Sequence, residues 1–144
     1  MPRCYLLALS ASSSLDQQSN NVSLFQLVEQ VNVPPHAPAP PQGQLPLEIH
    51  AYFHVAAEEI GQSLEMRFSL VSPNGLETFS DGVTHRVATA RYRTRTMGLP
   101  FPPLLGHYDL RVDFRMAQSS TWMRDPLSWP IAFCEVQTSP QITH

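Results

Sequence analysis

An all-β fold is what this sequence predicts, and three observations carry it. Apolar residues recur at every second position over several short segments, the period of a pleated strand and not of a helix. Fourteen prolines stand against six glycines in 144 residues, a composition suited to extended chain and tight corners. No strand pattern alternates with an amphipathic helical pattern, so a parallel sheet with crossover helices is not expected. At 144 residues and 42% hydrophobic the chain fits one domain with one core. A domain of this size buries roughly two-thirds of its unfolded surface and needs no disulfide or metal to fold.

The first expected strand is Arg3–Leu9, an apolar run closed by serines. Met1–Ser14 also imitates a weak signal peptide. Its apolar run is at or below the ~7 to 15 residues of an h-region and one positive charge precedes it, so a buried strand in a cytoplasmic protein is expected. Ser10–Asn21 is polar and reads as a loop. Asn21–Val33 fits a helical stripe at Val22, Leu24, Leu27, Val28 and Val31, and also an alternation broken near Val28. Its valine content and the following Pro34-Pro35 favour a bulged strand. Pro34–Pro46 contains six prolines and should run as a stiff polyproline II connection.

Leu47–Ala57 alternates cleanly, with Leu47, Ile49, Ala51, Phe53 and Val55 on one face and Glu48, His50, Tyr52 and His54 on the other. Leu64–Leu70 repeats the pattern. Ser72-Pro73-Asn74-Gly75 is a turn sequence, which predicts a hairpin into Leu76–Phe79. Val83–Thr96 reads as one long β-branched strand and Met97–Pro103 as a proline-rich connection. Gly106–Met116 gives the sharpest alternation, with Tyr108, Leu110, Val112, Phe114 and Met116 opposite Asp109, Arg111, Asp113 and Arg115. Trp122 falls on a short strand, Trp129–Val136 closes the fold, and Ser139–His144 is a tail. The expectation is therefore a single antiparallel β-sandwich of about seven to nine strands over residues 1–138, immunoglobulin-like or similar in topology, with a tail at 139–144.

Several landmarks in this order resemble a bacterial family of small uncharacterised all-β proteins, known only as a domain of unknown function. They are Cys4–Leu9, Ser23-Leu24-Phe25-Gln26-Leu27-Val28 ending near Val33-Pro34, the proline-flanked entry to Leu47–Val55, the turn at 72–75, and Gly106-His107-Tyr108-Asp109-Leu110-Arg111-Val112. The resemblance covers nearly the whole chain and implies a compact β-sandwich. It implies no catalytic residue.

Charge and spacing narrow the chemistry. A net charge of −3 and pI near 6.0 make nucleic acid an unexpected partner, and no apolar run reaches the ~18 to 20 residues of a membrane span. His50 and His54 would chelate from a helix, but on a strand they lie roughly 13 Å apart, too far for one zinc, and are expected on the solvent face. Cys4 and Cys134 lack metal-like spacing; free buried thiols are the default, with a disulfide open if their strands are neighbours. No nucleophile elbow, phosphate loop or zinc motif is present, so neither a catalytic residue nor a cofactor is expected.

All nine basic residues are arginine. Arg91, Arg93 and Arg95 alternate along one strand and share a face at ~6 to 7 Å spacing. Like charges in a row call for carboxylates opposite them or for an anionic partner, so the three form a candidate anion or partner face. Asp109, Arg111, Asp113 and Arg115 form a second charged face. Phe101, in the apolar loop 99–104, with Trp122 and Trp129, forms a candidate apolar partner loop if the three are exposed together. The function expected is a non-catalytic protein-binding or assembly module with an unknown protein partner or a second copy docked on an edge strand. Anion or phosphate binding by the arginine face is the alternative, and a metal-dependent or hydrolytic enzyme the remote one.

Overall fold

A computed structural model describes residues 2–33 and 44–135 of the chain. It is all-β, with one 3-10 turn at Ala57–Glu59 among the described residues. Among the described residues, eleven strands form two sheets. The first has the order β2 (Val22–Leu27), β1 (Arg3–Leu15), β4 (Gln44–His54), β8 (Arg91–Pro100). The second has the order β3 (Gln30–Val33), β11 (Trp129–Glu135), β9 (Gly106–Met116), β5 (Ser63–Val71), β6 (Glu77–Phe79). β7 (Val83–Arg86) also pairs with β5, and β10 (Met123–Arg124) with β9.

Period-two burial builds the core. Ile49, Ala51 and Phe53 of β4 face Met66, Phe68 and Leu70 of β5 and Leu110, Val112 and Phe114 of β9, all buried in one cluster. Phe53 and Phe114 meet edge to face at 6.0 Å across the sandwich. Full burial of one such side chain contributes about 1.5–3 kcal/mol. β1, β4 and β8 therefore oppose β5, β9 and β11, two sheets packed face to face on one core as in a β-sandwich. Among the described residues every pairing is antiparallel except β3 with β11, which is parallel.

Five boundaries depart from the sequence reading. β1 runs on to Leu15, so Ser10–Leu15 is strand and not loop; it pairs with β2 from Ser10↔Leu27 to Leu15↔Val22. The segment after Asn21 is β in both halves, but Gln26 takes a left-handed φ of 55° and the chain crosses from the first sheet to the second between Leu27 and Gln30. That crossing is where the alternation breaks. Val83–Thr96 is two strands, split around Val87–Ala90, and the second continues through Met97 to Pro100. These two divisions raise the count from the expected seven to nine strands to eleven, and the short strand expected at Trp122 is β10, which begins one residue later at Met123. Of the expected polyproline II segment 34–46, Gln44–Pro46 instead opens β4, where Gln44 and Leu45 pair with Pro100 and Leu99; its residues 34–43 and the tail 139–144 lie outside the described residues.

Candidate functional site

The arginine row stands on an edge. β8 pairs with β4 in a register running from Gln44↔Pro100 to His54↔Arg91, and among the described residues no strand pairs with its other side. Thr94 turns inward, buried, and donates to the Ala51 carbonyl at 2.8 Å. Its neighbours Arg93 and Arg95 therefore point outward with Arg91, sharing one face as alternation requires. The expected carboxylate ladder is largely missing. Opposite Arg91, Arg93 and Arg95 stand His54, Tyr52 and His50. Arg95 Nη1 reaches Glu48 Oε2 at 3.9 Å, and the Arg93 guanidinium lies 5.8 Å from the Tyr52 ring centroid. Neither Arg91 nor Arg93 meets a carboxylate among the described residues.

The β1–β2 hairpin folds over this face. Both strands project past the core, and the turn at Asp16–Asn21 reaches across β4 to β8. Arg93 Nη1 donates to the Asn20 carbonyl at 3.0 Å and Nη2 to Asn20 Oδ1 at 2.7 Å. Asn20 holds a left-handed φ of 60°, a conformation asparagine tolerates better than most residues. Beneath the hairpin lies a cavity of about 440 Å³, walled by Arg93 and Arg95 on one side and Leu15 and Val22 on the other, with His50 and Tyr52 between them.

His50 is the main correction to the sequence reading. It lies on the outer face of β4 as expected, yet it is 1% exposed, because the hairpin covers it. Its Nε2 is 2.8 Å from Ser10 Oγ and 3.5 Å from Glu48 Oε1. Ser10 Oγ donates to the Ser12 carbonyl, so it accepts from His50, which fixes the Nε2–H tautomer of the neutral ring. Glu48 Oε1 also accepts from Ser13 Oγ at 2.6 Å. Burial lowers the His50 pKa, with Glu48 opposing that shift and Arg95 adding to it. Burial also raises Tyr52, against Arg93. Serine, histidine and glutamate here do not form a nucleophilic triad, since the serine and the carboxylate share one imidazole nitrogen.

The three residues of the expected apolar loop do not come together. Phe101 packs edge to face on Phe133 at 6.0 Å. Trp129 leans on the core and donates its Nε1–H to the Val28 carbonyl at 2.8 Å. Trp122 lies just before β10 on the outer face of the second sheet, between the guanidinium groups of Arg67 and Arg115. The second charged face is laddered: Asp113 is buried and pairs with Arg67 and Arg124, and Arg115 pairs with Glu65. Cys4 and Cys134 are free thiols on strands of opposite sheets. His54 stacks on Tyr5 at 4.5 Å. Among the described residues, no helix is long and apolar enough to cross a membrane.

No protein-family model and no curated protein matches the sequence.

Proposed function

We propose that this protein is a non-catalytic, cytoplasmic protein-binding module that takes up an extended acidic segment of a partner along β8. The observation that carries this reading is a ten-residue edge strand whose outward face bears three guanidinium groups with one distant carboxylate between them. An added strand satisfies the free N–H and C=O groups of such an edge. Its side chains then stand ~4.5–5.5 Å from their β8 partners, so carboxylates at alternate positions meet Arg91, Arg93 and Arg95. Pairing β8 with the β8 of a second copy would set arginine rows side by side, which favours an acidic partner over a homodimer at this edge. The resemblance to small bacterial all-β proteins is retained as part of the proposal and rests on the strand landmarks alone.

The test uses a labelled nine-residue peptide with glutamate at three alternate positions, read by fluorescence anisotropy, and amide exchange of the protein. Binding should protect β8 amides and weaken as salt rises. Arg91→Glu, at an exposed side chain with no ion-pair partner among the described residues, should weaken it about tenfold, equivalent to about 1.4 kcal/mol. Absence of binding, an unchanged affinity in Arg91→Glu, or protection confined to other strands overturns the reading.

A further inference from the structure

We infer that the cavity under the β1–β2 hairpin binds a small organic anion, a phosphate or carboxylate group carried on an apolar body. Its volume of about 440 Å³ lies within the ~300–1,000 Å³ of small-molecule sites. Its chemistry is sorted by side. Arg93 and Arg95 line the β8 wall, while Leu15 and Val22 form the facing wall and Tyr52 adds an aromatic surface. An anionic head on the arginines would lay its body against Leu15, which is 53% exposed without it.

The arginines are available for this. Arg93 spends two N–H groups on Asn20, and a guanidinium carries five. Arg95, with its side chain 61% exposed, has among the described residues a single long ion-pair contact, to Glu48. Glu48 repels the ligand less than a free carboxylate would, because Ser13 donates to one of its oxygens and Arg95 faces the other. Two guanidinium groups against one engaged carboxylate leave the cavity net positive. Arg93 is engaged in holding the hairpin down through Asn20, whereas Arg95 makes no hydrogen bond or ion pair to the hairpin among the described residues and is the cation at this wall that a ligand can take up. Arg91 does not line the cavity, which makes this site separable from uptake of a peptide along β8.

Titration of the full chain with phenyl phosphate, followed by calorimetry and by the ring resonances of His50 and Tyr52, tests the inference. Benzoate, benzyl alcohol and inorganic phosphate are titrated in parallel. Phenyl phosphate or benzoate should bind and shift both rings, and the tighter of the two identifies the head group. Arg95→Ala should weaken that binding about tenfold with an unchanged far-ultraviolet spectrum, Arg95→Gln should do the same, and Arg91→Glu should leave it within about twofold. Leu15→Ser should weaken the aromatic anions and not inorganic phosphate. No binding by either aromatic anion, equal binding of benzyl alcohol, inorganic phosphate binding as tightly as phenyl phosphate, or an indifferent Arg95→Ala would each overturn it.

Discussion

Asp125 joins the two sheets with one carboxylate. It is 1% exposed and follows β10 in the second sheet, yet its Oδ2 accepts from the Cys4 backbone N–H of β1 at 2.8 Å and its Oδ1 from Leu127 N–H at 3.0 Å. Its carbonyl takes a third bond, from Arg111. Burial, with the Asp125 charge adding to it, pushes the Cys4 thiol up to about 11, which keeps that sulfur protonated and inert at neutral pH. Asp125→Ala leaves one buried and one partly buried N–H group without an acceptor, the buried one costing about 1–3 kcal/mol and the other less. Urea denaturation should therefore show a loss of about 2–4 kcal/mol. Asp125→Asn, which keeps one acceptor oxygen, should lose less. Equal losses from the two variants would mean that the charge, and not the accepted hydrogen bonds, is what the fold uses here.

Among the elements, β10 is too short to hold itself by its pairing with β9 alone, and stacking and ion pairs add to that pairing. Arg67 lies 4.3 Å from the Trp122 ring centroid and 4.2 Å from that of Phe79, and Arg115 lies 4.4 Å from Trp122 on β10's entry. Arg124 holds Asp113 and Glu77 together, and its pKa is raised chiefly by the hydrogen bond to Asp113. Each cation–π contact contributes about 0.5–1 kcal/mol at such sites, so Trp122→Ala should cost about 1–2 kcal/mol in thermal or chemical denaturation. A loss within a few tenths of a kcal/mol would show that the stacking adds no stability. How far the elements were legible follows the same logic of burial. β4, β5 and β9 could be read because one face of each enters the core and the other does not. Ser10–Leu15 could not, because that half of β1 extends beyond the core and no apolar alternation marks it. The outward direction of Arg91, Arg93 and Arg95 was legible for the same reason. The burial of His50 was not, since it depends on a hairpin closing over β4 through Asn20 and Arg93, residues 73 apart in the chain. The one local hint was Glu48 two residues before His50 on the polar side of a clean strand.

For the molecule as a whole, that closure sets the response to acid. Burial lowers the pKa of His50 and also that of His85, which meets the Tyr92 hydroxyl at 3.2 Å through Nδ1. In the unfolded chain both titrate near ~6.5. Above that pH neither state binds the proton and the folded state has its full stability. As pH falls below ~6.5 the unfolded chain takes up protons that the folded one resists, so stability declines until the folded pKa values are passed. Each histidine can add at most about 1.4 kcal/mol per pH unit to that slope. The slope is also a gauge of the hairpin, because it is the hairpin that keeps His50 from water. His50→Gln should remove one histidine's share of the decline between pH 7.5 and 5. Asn20→Ala, which takes away the Oδ1 acceptor of Arg93, should move the His50 imidazole C–H titration seen by NMR back towards ~6.5 and flatten the decline in the same direction, with His85 unchanged. If Asn20→Ala leaves the His50 titration where it was, the turn does not hold the hairpin closed, and the cavity beneath it owes its roof to other contacts.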